Sequence, residues 1–155
     1  MHSVVHLICA CDLLILLITF MWSNVFLVAD IPGIIENAHL NRGLGFSFLR
    51  HIERCYCLLF IVDLSATDPC QQLGVLRHEL EQYEAGLSQR PHVIIGNKID
   101  LPDTEDNADR LREFVGSSAT VVTISAKRRT NVDTVSRIVK EMYYAKCVEN
   151  PAGTE

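Results

Sequence analysis

Apolar residues arrive along this chain in short unbroken runs, each closed by a polar residue and separated by stretches with a three-to-four-residue repeat. Val25-Phe26-Leu27-Val28-Ala29 closes at Asp30 and is followed by Pro32-Gly33; residues 57–62 (CLLFIV) close at Asp63, residues 92–96 (HVIIG) at Asn97, and residues 120–124 (TVVTI) at Ser125. Runs of this length, rich in β-branched and aromatic residues, predict strands buried on both faces. Between them, Leu73, Leu76, Leu80, Tyr83 and Leu87 recur at helical spacing and predict an amphipathic helix of about four turns. Residues 105–115 predict a second helix with acidic residues in its first turn, and residues 46–54 a short one. Val132, Val135, Ile138, Val139 and Met142 line a last helix. Buried strands alternating with amphipathic helices predict an α/β fold, a parallel sheet with helices on both faces. In such sheets ligands bind beyond the carboxyl ends of the strands, so the residue after each run is where chemistry is expected.

The first 24 residues have a different texture. Residues 1–29 hold a single formal charge, Asp12, while all 14 Lys and Arg lie beyond them. Residues 4–22 approach the roughly 20 apolar residues of a membrane-spanning helix, but Asp12 interrupts them and no basic residue flanks them. The same lack of basic residues argues against a secretory signal or a mitochondrial presequence. Two readings stand side by side: an apolar helix, compatible with membrane association through residues 4–22, or a strand over residues 13–21 that turns at Ser23-Asn24 and pairs with residues 25–29.

Composition adds bounds. A chain of 155 residues with 48% hydrophobic content supports one domain with a core. The formal charge of −5 excludes bulk non-specific nucleic-acid binding, which leaves only local basic features: Arg42, Arg50, Arg54 and Lys127-Arg128-Arg129. Six cysteines are too few for a disulfide scaffold and lack zinc-site spacing, so free thiols in a reducing compartment are expected. His51 and His78 read as helix-surface residues, and Asp103, Glu105, Asp106 and Asp109 as helix-start acids.

Read in order, the strand ends are Asp30-Ile31-Pro32-Gly33, Asp63-Leu64-Ser65, Asn97-Lys98-Ile99-Asp100 and Ser125-Ala126-Lys127. The series D-x-x-G, N-K-x-D, S-A-K resembles the guanine-nucleotide-binding domain of translation-factor-like GTPases. The stretches DIPGIIENAHLNRGLGFSFLRHIERC and RPHVIIGNKIDLP resemble the Obg family, nearest to its mitochondrial ribosome-assembly members, over about residues 27–145. The fold implied is P-loop-NTPase-like (Ras-like), here with its N-terminal phosphate-loop unit missing. The division expected is a non-family segment 1–24, a partial Obg-type G domain 25–147 and a tail 148–155.

The residues support a guanine site on their own chemistry. A carboxylate such as Asp100 accepts two hydrogen bonds from the adjacent ring N–H and exocyclic amine of guanine, a donor pair that adenine lacks. The amide of Asn97 suits the imidazole edge, and the methylene stem of Lys98 can lie over the ring. The resemblance implies that Ala126 offers its N–H to the guanine carbonyl, with Ser125 beside it and Lys127 covering the opposite edge. It also implies that Asp30 holds Mg²⁺ through water and that Gly33 contacts the γ-phosphate of GTP, with Ile31 and Pro32 between them. Ile34 stands where many GTPases place a water-orienting glutamine. No G-x-x-x-x-G-K-[ST] occurs in residues 1–29, whose place in the family belongs to the phosphate cradle. In the family's sheet the strand leading to that cradle sits between the strands ending at Asp30 and Asp63, so its loss leaves a gap that residues 13–21 can fill only as a strand.

Two functions follow. One is a GTP- and GDP-binding Obg-type GTPase domain, with Mg²⁺ at an incomplete site, the large ribosomal subunit or its RNA as partner, and a mitochondrial or cytoplasmic location. The other is a non-catalytic fragment acting as an interaction module.

Overall fold

The computed structural model describes residues 13–22, 25–30, 57–83 and 85–149. They form β1 (Leu13–Trp22), β2 (Val25–Asp30), β3 (Cys57–Asp63), α1 (Pro69–Tyr83), β4 (His92–Asn97), α2 (Thr104–Val115), β5 (Thr120–Thr123) and α3 (Val132–Glu149), with a short 3₁₀ turn at Leu87–Gln89. The helix expected over residues 46–54 lies outside the described residues, as do residues 31–33.

The five strands make one sheet in the order β2-β1-β3-β4-β5. Strands β3, β4 and β5 are parallel, as the alternating pattern requires. Within the apolar segment, residues 13–22 take the strand alternative: β1 is antiparallel to both β2 and β3 and lies between them. The sheet is therefore mixed rather than wholly parallel, because a two-residue connection can join only antiparallel strands. The β1–β2 register slips between Ile18 and Phe20, a bulge that leaves Thr19 unmatched. Among the described residues no helix is long and apolar enough to cross a membrane.

Strand β3 is buried at all seven positions, and its alternation divides the core. Leu58, Phe60 and Val62 face Leu73, Leu76 and Leu80 of α1 and Leu111 and Val115 of α2. Cys57, Leu59 and Ile61 face the other way, with Val93, Ile95 and Val122, onto Val135 and Val139 of α3. Helix α1 starts earlier than its leucine repeat shows, at Pro69, where the missing N–H costs nothing and the Asp68 carboxylate accepts from the N–H of Gln71 (3.0 Å). It also ends earlier: Gly86 adopts φ 84°, so Leu87 reaches the core from the 3₁₀ turn instead of from the helix. Asp103 precedes α2 at φ 60° without a side-chain cap, correcting its reading as a capping acid; the hydroxyl of Thr104 instead donates to the carbonyl of Leu101 (3.0 Å).

The central place of β1 is testable at Leu16, which pairs with Asp30 on one side and Leu59 on the other. A proline there removes a ladder donor from an interior strand. Leu16→Pro should be about 2–3 kcal/mol less stable than Leu16→Ala in urea unfolding. Equal stability of the two variants would remove β1 from the interior of the sheet.

Candidate functional site

The parallel strands β3 and β4 end level with one another, Asp63 opposite Asn97, and the chain after β5 closes against them. The N–H of Ile124 donates to the Gly96 carbonyl (2.8 Å), and that of Ile99 to the Ile124 carbonyl (3.1 Å). Gly96 is required where it stands, since a Cβ would lie 2.9 Å from both methyl carbons of the buried Leu64. Asn97, 3% exposed, turns its side chain across to the second loop, where its Oδ1 accepts the N–H of Ala126 at 3.1 Å. This bond joins the N-K-x-D and S-A-K segments directly.

Each loop is stiffened from within. Lys98 occupies the left-handed region at φ 74°, a strained conformation for a residue with a side chain, and the N–H of Leu101 closes the turn onto its carbonyl (3.0 Å). Ser125 and Thr130 exchange backbone bonds of 3.2 and 3.0 Å across the turn between them, and the Ser125 hydroxyl oxygen accepts the N–H of Arg128 (3.0 Å). Asn131, at φ 59°, delivers the chain into α3 and donates its amide to the Thr123 carbonyl (3.0 Å).

Between the loops lies a cavity of about 210 Å³ lined by Asn97, Lys98, Asp100, Leu101 and Lys127. Four of these are residues singled out from the sequence, and Ser125 and Ala126 form the buried wall behind. The Asp100 carboxylate, with its side chain only 7% exposed, lies 3.7 Å from Nε of Arg128. A hydrogen bond from Ser125 holds its pKa below the ordinary value against the opposing effect of desolvation, with Arg128 and Lys127 adding to the depression. It therefore remains an acceptor at neutral pH. The N–H of Ala126, expected to face a guanine carbonyl, is already given to Asn97, so any ligand oxygen there must share or replace that bond.

Sequence reasoning gave no role to Asp63. Its Oδ2 accepts from Nζ of Lys98 at 2.7 Å, while its Oδ1 accepts from the N–H (2.8 Å) and hydroxyl (2.6 Å) of Ser65. Its own N–H is held by Oε1 of Gln72 on α1 (3.1 Å). Burial raises the Asp63 pKa, but the Lys98 ammonium and the Ser65 donors outweigh it and hold the carboxyl below the usual range. The available signal was the Asp-x-Ser spacing at a buried strand end, which forms a local side-chain turn. The loop beyond is fixed to α2, where Asn107 donates its amide to the carbonyls of Leu64 (2.9 Å) and Ala66 (3.0 Å).

Of the expected phosphate-side residues, only Asp30 falls within the described residues. Asp30 is the last residue of β2, and Ile31, Pro32 and Gly33 lie outside the described residues. Through Leu16 of β1, Asp30 is level with Leu59, four residues before Asp63 on a neighbouring parallel course, or about 13 Å along the strand. Among the described residues no cluster of three His, Cys, Asp or Glu side chains is placed to hold a metal ion.

Fold and rim together define a GTPase-type α/β domain. The chain belongs to the 50S ribosome-binding GTPase family, whose model matches residues 13–98 and so begins within the apolar segment. It is 52% identical over 118 residues to the mitochondrial ribosome-associated GTPase 2 of Homo sapiens, covering 76% of this chain and 29% of that protein. It is 43% identical over 110 residues to the GTPase Obg of Geobacillus kaustophilus, covering 69% of this chain and 26% of that protein. The chain thus spans less than a third of the length of these relatives.

The lowered pKa of Asp63 sets a sign for pH dependence. A carboxyl depressed in the folded state stabilises fully above its unfolded pKa, and that contribution is lost as pH falls through the folded value. The stability advantage of the wild type over Asp63→Asn should therefore be constant between about pH 5 and 8 and shrink below about pH 4. Urea unfolding of both across this range checks it; an advantage that grows on acidification contradicts the assignment.

Proposed function

We propose that the rim cavity is a guanine-recognition site and that this chain is the base-reading part of an Obg-type GTP-binding domain. The observation that carries the reading is the meeting of Asn97, Lys98, Asp100 and Lys127 around one cavity, with the two motif loops joined by the Asn97–Ala126 bond. In this reading Asp100 accepts the paired N–H donors of guanine, the stem of Lys98 covers one face of the ring, and Lys127 approaches the other edge. Asn97 orients the base, and Ser125 fixes the carboxylate through its hydroxyl. GTP and GDP are the nucleotides this assigns, with Asp30 to Gly33 as the remnant of the γ-phosphate and Mg²⁺ side.

The relatives' name, mitochondrial ribosome-associated GTPase 2, and the family's, 50S ribosome-binding GTPase, support the context proposed here: a part in mitochondrial ribosome assembly, with the large subunit or its RNA as partner and the mitochondrion as location. Exposed Lys127, Arg128 and Arg129 beside the cavity offer cationic contacts for ribosomal RNA. The division that goes with this reading is an apolar segment 1–24, a partial Obg-type G domain 25–147 and a tail 148–155.

Asp100→Asn tests the base assignment. Replacing the acceptor pair by an amide loses charge-assisted bonds worth about 1.5–3 kcal/mol each, so guanosine affinity should fall at least about tenfold while xanthosine, which offers the complementary acceptor, gains. Competition binding of the two nucleosides reads this directly; an unchanged preference for guanine refutes the role of Asp100.

The second reading, a binding module without catalysis, is favoured by Ile34 in place of a water-orienting glutamine and by residues 1–29, which carry no Lys or Arg to meet charge developing on a γ-phosphate. Purified chain should release no phosphate from GTP above buffer background. Turnover that persists through purification and disappears in Asp30→Ala would establish catalysis instead.

A further inference from the structure

We infer that the cavity binds the guanine moiety without regard to the phosphates attached to it, so that guanosine, GMP, GDP and GTP are equivalent ligands. The inference rests on the guanine reading above and adds the ligand class.

Strand direction is the first ground. A phosphate-binding turn in a parallel α/β sheet needs a strand that runs toward the rim and opens there into a helix N-terminus. The place beside β3 that would hold such a strand is taken by β1, which runs the other way: Leu13 is level with Val62 near the rim, and Ile18 is level with Cys57 at the far end. After β1 the chain turns at the end of the sheet opposite the cavity and returns as β2. No loop following a strand in that place can cradle a phosphate at the rim.

Charge is the second ground. Beside the cavity the one lysine of the N-K-x-D loop is committed: both oxygens of the Asp63 carboxylate are engaged, Oδ2 by Nζ of Lys98 and Oδ1 by Ser65. A phosphate seeking the Lys98 ammonium must displace the Asp63 carboxylate that holds it at 2.7 Å. Asp30, the carboxylate that the resemblance assigns to water-held Mg²⁺, is level with Leu59, about 13 Å before Asp63 along the strand direction.

Size is the third. At about 210 Å³ the cavity is below the roughly 300–1,000 Å³ typical of pockets enclosing whole drug-sized ligands. It suits a purine base with the sugar and phosphates outside.

Calorimetry with the full chain tests this, using guanosine, GMP, GDP and GTP in turn, each with Mg²⁺ and with EDTA, and adenosine as control. The expected result is four guanine ligands within about threefold of one another, no response to Mg²⁺, and no binding of adenosine. GTP or GDP binding about a hundredfold tighter than guanosine, or binding that requires Mg²⁺, overturns phosphate indifference while leaving guanine recognition standing. Binding of none of the four, or of adenosine equally, overturns guanine recognition itself and this inference with it.

Discussion

A strand buried on every residue must have both of its backbone edges paired, because each N–H or carbonyl withdrawn from water without a partner costs about as much as a lost hydrogen bond. Strand β3 is that strand here. Strand β4 satisfies one edge, and the other is satisfied only by β1. The two core layers exist because β3 is held flat between these neighbours, sending alternate side chains to α1 and α2 on one face and to α3 on the other. The position of Asp63 and Asn97 at the rim follows from the same register.

The rim turns that rigidity into a site. Asn97 is buried and spends its oxygen on the neighbouring loop, so it positions the two motifs before any ligand arrives. Lys98 holds a left-handed backbone that an ordinary surface turn would relax, and Asp63 anchors its ammonium. Asp100 is kept ionised by Ser125 and its basic neighbours. These are pre-organised acceptors and a held cation, which reduces the ordering that binding would otherwise require.

The pairing that completes the sheet also sets the direction of the chain beside β3. A strand that closes the gap by folding back must be antiparallel, since two residues cannot carry the chain over to a parallel neighbour. Completing the core by this route sends the chain away from the rim along β1 and brings it back along β2.

Much of this was legible in the residues alone. The unbroken apolar runs ending at Asp63, Asn97 and Ser125 determined the strands and which of their ends carries chemistry, because burial on both faces leaves little freedom of composition. The N-K-x-D and S-A-K motifs hold four of the five residues that line the cavity, since residues just past neighbouring parallel strand ends gather at one rim. The apolar segment over residues 4–22 remained ambiguous between helix and strand, as short apolar stretches have no distinguishing period. Only the tertiary structure decided residues 13–22: the open edge of β3 accepts a strand's hydrogen bonds and cannot accept a helix's. The ion pair of Lys98 with Asp63 was likewise invisible, because it joins residues 35 apart that become neighbours only when β3 and β4 lie side by side.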